Sequence, residues 1–168
     1  MDINDLNRRV RFALSLDDAE VVDLLRLAEF PGDLVQISAW RLKEGEEGFL
    51  PCPPQALQAM LSGLIILRRG KRDDPSPDAP NTGAVSRKPP EQVHDFIDNN
   101  DVLKQIRIAL SLKTDEVHAL IERGGGKLGK SEINALFRNP GARNYRRCGD
   151  QVLRWFLAGL AQQRKGES

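Results

Sequence analysis

Aromatic side chains make up only 5% of this 168-residue chain, with one tyrosine and two tryptophans, which argues against a stacking platform for single-stranded nucleic acid. Histidine and cysteine are as scarce, two of each. Cys52 and Cys148 lie 96 residues apart and His94 and His118 match neither, so there is no metal-ligand spacing, and no metal or cofactor is expected. No apolar run approaches the ~18 residues that a membrane helix needs. Residues 1–9 likewise contain no uninterrupted apolar stretch, so neither a secretory signal nor a membrane partner is expected, and a reducing cytoplasm with free thiols is the default. An excess of one charge is missing too: 25 basic and 24 acidic residues leave a net +1, too little for a whole-molecule field that draws the protein to DNA or lipid. No Ser-His-Asp order, glycine-rich phosphate loop or HExxH is present.

What is present is a duplication. Shifted by 96 positions, residues 4–70 align with 100–166 without a gap, and 21 of the 67 pairs are identical, where chance gives about one in sixteen. The pairs include Arg11/Arg107, Ser15/Ser111, Leu24/Leu120, Ile37/Ile133, Cys52/Cys148, Leu57/Leu153 and Gly63/Gly159. The chain therefore divides into a first repeat at 1–70, a connector at 71–99 and a second repeat at 100–168. Five of the ten prolines fall in the connector. Its polar composition predicts a flexible linker over 71–90, with a short helical turn at 91–98 where Val93, Phe96 and Ile97 share a face.

Apolar residues recur at helical spacing throughout, with no strand pattern. Ile3, Leu6, Val10 and Leu14 mark a first helix, and Val21, Leu24, Leu25 and Ala28 a second with Asp18 as its expected cap. Leu34 and Ile37 mark a short third, and Leu57, Met60, Leu61 and Leu64 a fourth that opens at Pro53-Pro54. The second repeat follows the same plan. A unit of this size is marginal alone, so the expected architecture is all-α, two homologous four-helix units packed about an approximate two-fold axis. Gly63 and Gly159, both inside helices, are read as places where another backbone comes close, and as indirect support for that pairing.

The signatures FLPCPPQALQAMLSGLIILRRGK (49–71) and ALFRNPGARNYRRCGDQVLRWFLAGL (135–160) resemble those of the YehS family, bacterial proteins of similar length with a duplicated domain of unknown function. The resemblance covers both repeats and implies a small cytoplasmic bacterial protein. It implies no catalytic or binding residues.

Two features remain as candidate chemistry. Cys148 and Arg154 have the C-x5-R spacing of cysteine phosphatases, but Gln151, Val152 and Leu153 between them continue a helical pattern instead of a glycine-rich cradle, so the spacing is read as coincidence. Cys148 also follows Arg146 and Arg147 and precedes a helix, a setting that favours a thiolate and a redox thiol. The opposing reading is a small buried residue repeated at both loop–helix junctions. Gly124, Gly125 and Gly126 are read as turn residues.

Charge is the more informative feature. The three segments carry net −3, −2 and +6. The contrast peaks before the fourth helix, where Arg138, Arg143, Arg146 and Arg147 oppose Glu44, Glu46 and Glu47 of the first repeat. Arginines interleaved with Asn144 and Tyr145 suit phosphate gripping and base stacking. The adjoining helix pair permits a helix-turn-helix reading in which Lys130, Asn134 and Arg138 face a groove. Three functions follow: a non-enzymatic binding or adaptor protein that meets DNA, RNA or another anionic partner through the second repeat; a protein-interaction or self-association module whose charged loops pair between units or copies; and a thiol sensor or enzyme at Cys148.

Overall fold

The structure, a computed structural model, describes residues 2–69 and 97–166. Among these residues the chain is all helical, as the apolar spacing predicts. The first unit comprises α1 (Ile3–Leu14), α2 (Asp18–Leu27), α3 (Leu34–Ala39) and α4 (Pro54–Arg69), and the second comprises α5 (Asn99–Leu110), α6 (Thr114–Arg123), α7 (Lys130–Leu136) and α8 (Asp150–Gly166). The linker expected at 71–90 lies outside the described residues. Of the helical turn expected over 91–98, only Ile97 and Asp98 are described, and neither is helical. Asp98 is extended and caps α5, its carboxylate accepting the Asp101 N–H at 2.7 Å.

Local chemistry sets the helix ends. Asp2 caps α1 by accepting the Asp5 N–H at 2.8 Å. The helix stops where Ser15 turns left-handed at φ 55°, and Ser111 ends α5 the same way at φ 54°. Asp17, not the expected Asp18, caps α2, accepting the Glu20 N–H at 2.8 Å. Two adjacent acids offer the same linear signal, and the choice frees Asp18 for other partners. Pro54 opens α4, where its missing N–H has no helical bond to lose.

Inside each unit the second helix crosses the fourth at very short range. A Cβ on Gly63 would sit 2.0 Å from the Leu24 carbonyl oxygen, and one on Gly159 1.8 Å from that of Leu120. The close approach expected at these glycines is present, but it joins helices of one unit and not the two units. The units meet elsewhere: α4 lies against α5 and α1 against α8, whereas α1 meets its own α4, and α5 its own α8, only marginally. Each first helix thus rests on the fourth helix of the other unit, the reciprocal pattern of a two-fold pair. One continuous apolar cluster results, running from Leu6 and Val10 through Leu57 and Leu61 to Ile106 and Phe156.

The repeats fill equivalent space with different residues. A Cβ on Gly126 would meet the Trp155 ring at 2.4 Å, so the large residue on α8 requires a residue without a side chain opposite. In the first unit the sizes are reversed, with Phe30 and Ala59 at those two positions, both packed on the core. Gly125 also does turn duty, at φ +100°.

Gly159→Ala is expected to lower stability by more than about 2 kcal/mol in urea denaturation, although alanine is favoured over glycine by about 1 kcal/mol in an open helix. A gain in stability would show that α6 and α8 have room to separate.

Candidate functional site

The loop that joins the third helix to the fourth is held by a buried asparagine in each unit. Asn4 Nδ2 donates to the carbonyls of Trp40 (3.0 Å) and Leu50 (2.9 Å), and Asn4 Oδ1 accepts the Cys52 N–H at 2.9 Å. Asn100 repeats this with the carbonyls of Leu136 (2.9 Å) and Arg146 (3.0 Å) and with the Cys148 N–H (2.8 Å). At 7% and 8% exposure, both amides would be costly to bury unpaired. Each instead ties the end of the third helix, the loop and the start of the fourth helix to the first helix. Asn4 and Asn100 are one of the identical pairs. Their signal in the sequence is a repeated polar residue beside an apolar stripe.

On this pinned loop Arg138, Arg143, Asn144 and Arg147 are exposed, and none of the three arginines has an ion-pair partner among the described residues. Arg146 behaves differently. Its backbone N–H donates to the Ala135 carbonyl at 3.0 Å, and its guanidinium pairs with Glu132 of its own unit at 2.8 Å. Among the described residues no ion pair joins this loop to Glu44, Glu46 or Glu47, so the pairing between units within one chain is not made. Tyr145 is half-buried. Burial first, and then the charges of Asp98 and Asp101, push its hydroxyl above the ordinary tyrosine range, and its ring is not offered freely for stacking.

Two of the helix-turn-helix residues have surface partners on α6. Lys130 pairs with Asp115 on α6 at 2.8 Å, and Asn134 Oδ1 accepts the Thr114 hydroxyl at 3.1 Å. Lys130 and Asn134 thus stand exposed one turn apart on α7, each with a partner on α6, and Arg138 is exposed just past the helix end.

Cys148 is buried, and burial pushes its thiol up to about 12, helped by Asp150 and Asp98 and opposed by Arg146. Cys52 is likewise pushed up to about 12 by burial. The arginines that flank Cys148 in sequence favour a thiolate, but the two aspartates beside it oppose them, and Asp98 lies 50 positions away in the chain. The environment is that of a protonated packing residue. His118 Nε2 stands 3.4 Å from Glu122. Among the described residues no group of three His, Cys, Asp or Glu side chains could hold a metal, and no helix is long and apolar enough to cross a membrane.

A second repeated cluster sits where the first helix turns into the second. Arg11 donates to the Leu16 carbonyl at 3.5 Å and to the Asp18 carboxylate. Asp18 also accepts from Ser38 at 2.7 Å and pairs with Arg41 at 3.3 Å. In the second unit Arg107 donates to the Leu112 carbonyl at 3.0 Å and to Thr114 at 3.2 Å, and its guanidinium stands 4.3 Å from the centre of the Phe137 ring. The same fold position is thus charged in one unit, through Asp18 and Arg41, and neutral in the other, through Thr114 and Phe137.

Comparison with known proteins agrees with the duplication. The family described as "Protein of unknown function (DUF1456)" matches twice, over residues 4–70 and 99–166. The uncharacterized protein YehS of Escherichia coli (strain K12) is 40% identical over 158 residues, covering 94% of this chain and 93% of that protein. No solved structure gives a significant match.

Burial works to raise the Asp18 carboxyl, but hydrogen bonds from Arg11 and Ser38 and the charges of Arg11 and Arg41 outweigh it and hold it below the ordinary aspartate range. Its contribution to stability is therefore whole above the unfolded value of ~3.9 and is lost as pH falls through the lower native value. Asp18→Asn is expected to cost about 1–3 kcal/mol at neutral pH. The gap from the wild type should close below about pH 4 in denaturant titrations, and a gap that persists at lower pH would mean that charge is not its origin.

Proposed function

The chain belongs to the DUF1456 family of duplicated proteins, and on that premise we propose that it is a non-enzymatic binding or adaptor protein whose second unit grips an anionic partner, DNA or RNA, through the loop at 138–147. The observation that carries this reading is the exposure of Arg138, Arg143 and Arg147, without ion-pair partners among the described residues, on a backbone that Asn100 holds in place. A fixed backbone lowers the ordering cost of binding, and guanidinium forks match phosphate oxygens. The loop grips the phosphate backbone, and Lys130 and Asn134, exposed on α7 beside it, give up only weak surface contacts to α6 if they reach the same partner. The counterpart loop, with Glu44, Glu46 and Glu47, restricts this face to one unit. The competing reading is self-association, in which the basic loop of one copy meets the acidic loop of another. It is supported by the same arginines and by the absence of that pairing within one chain.

Labelled duplex DNA and structured RNA titrated with the full chain separate the two. Three phosphate contacts predict a loss of affinity of roughly 30–50-fold between about 50 and 200 mM salt, with binding abolished in Arg143→Glu/Arg147→Glu. Absence of binding at the lowest salt, together with a salt-sensitive dimer in sedimentation, would overturn the nucleic-acid reading in favour of self-association.

A further inference from the structure

Four arginines converge on one cavity at the seam between the units, at a distance in sequence that no motif search would join. Arg8 and Arg11 come from α1, Arg41 from just after α3, and Arg164 from the last turn of α8. They border a cavity of about 970 Å³ together with Phe12, Ser15, Leu16, Asp17, Ser38, Leu42 and Ala161, a volume at the upper end of small-molecule sites. Arg11 is only 4% exposed, and its Nε and Nη1 find no hydrogen-bond partner. A guanidinium buried with the three N–H donors of these two nitrogens unused is costly on structural grounds alone. Arg164 has no ion-pair partner among the described residues.

The local charge is not balanced. Arg11 and Arg41 share Asp18, and Arg8 and Arg9 share Asp5. With Arg164, the four guanidiniums that border the cavity face the three carboxylates of Asp5, Asp17 and Asp18, an excess of one positive charge on the side that an anionic group would enter. Beside the arginines the Phe12 ring is 63% exposed. It also borders a smaller cavity of about 280 Å³, lined by Leu157, Ala158 and Ala161 along with Arg9, Arg154 and Gln162. One end of the seam is thus cationic, and the next sets an apolar wall of Leu157, Ala158 and Ala161 beside two further arginines.

The duplication supplies an internal control. In the opposite seam, between α4 and α5, the counterpart of Arg41 is Phe137, whose ring stands against the Arg107 guanidinium. Phe12 becomes Ile108, and Ala161 becomes Ile65, which packs on the core. Arg107 spends its donors on Leu112 and Thr114, and its Nε is satisfied. The same fold thus sets a ring against the repeated arginine in one seam, and in the other leaves a cavity beside it while Arg11 keeps buried N–H donors unpaired.

We propose that the cavity between α1 and α8 binds a small phosphate monoester of nucleotide size, its phosphate held by Arg8, Arg41 and Arg164 in front of the buried charge of Arg11, and its body laid against Phe12. This site is separate from the basic loop and does not depend on it.

The test is calorimetric titration of the full chain with adenosine monophosphate, adenosine and inorganic phosphate at fixed ionic strength. Adenosine monophosphate is expected to bind with a dissociation constant below about 1 mM and to raise the melting temperature. Adenosine should bind at least about tenfold more weakly, and inorganic phosphate in between. Arg41→Ala/Arg164→Ala should weaken adenosine monophosphate by at least about tenfold. Arg164→Gln, which breaks no ion pair among the described residues, should weaken it on its own if the double variant is poorly folded. Equal binding of adenosine and adenosine monophosphate, unchanged binding in both variants, or no heat and no melting shift with either phosphate-bearing probe up to about 5 mM would each overturn the proposal.

Discussion

The first helix of each unit has its apolar face on the fourth helix of the other unit, and the remaining structure depends on that exchange. A 67-residue unit buries only ~60% of the surface its unfolded chain exposes. Here even that fraction is not available to one unit, because Leu6 and Val10 on α1 are buried along the seam with α8, and Val102 and Ile106 on α5 along the seam with α4. What binds α1 to its own unit is chiefly polar: Asn4 to the loop before α4, and Arg11 to the turn before α2. Each first helix is therefore a strut, latched to one unit by buried hydrogen bonds and packed on the other by apolar area.

This arrangement explains which positions kept their identity and which diverged. Asn4/Asn100, Arg11/Arg107 and Gly63/Gly159 remain matched because each serves backbone atoms whose placement is the same in both units. Residues that touch only side chains changed in compensating sets, as Phe30 with Ala59 against Gly126 with Trp155, or Asp18 with Arg41 against Thr114 with Phe137. The loop before the fourth helix changed without any such constraint on its side chains, since Asn4 and Asn100 hold it by its carbonyls and amides. It could become acidic in one unit and basic in the other at no cost to the fold. The arginine-lined seam arises from the same freedom, in the unit that kept charge where its twin took up a ring.

The legible part of this structure was what repeats at fixed spacing. The register of the duplication, the four helices per unit and the all-α class follow from apolar residues such as Leu24/Leu120 and Leu57/Leu153 falling at matched helical positions. Partner choice was not legible. Gly63 and Gly159 announced a close helix crossing, yet both seams and both crossings present similar aliphatic stripes, so nothing in the linear pattern distinguishes a helix of the same unit from one of the other. The choice between the two readings of Cys148 was not legible for a related reason: Arg146 and Arg147 are its neighbours in sequence, while the aspartate at 98 arrives through the fold. The cavity arginines span the chain from Arg8 to Arg164, and only the α1–α8 seam brings them together. Of the candidate site, the exposed loop arginines could be read from charge alone, whereas the surface partners of Lys130 and Asn134 and the partial burial of Tyr145 required the fold.

The interlock makes one measurement decisive, because each unit has a single tryptophan: Trp40 is buried at the end of α3, and Trp155 is half-buried on α8. Urea unfolding followed separately through Trp40 in a Trp155→Phe variant and through Trp155 in a Trp40→Phe variant reports each unit in the intact chain. If every first helix depends on the other unit's fourth, each variant's fluorescence transition should coincide with its own loss of helical circular dichroism, in one cooperative step. A fluorescence transition completed while about half the helical signal survives would show that one unit stands without the other, and would contradict the exchange of helices on which this account rests.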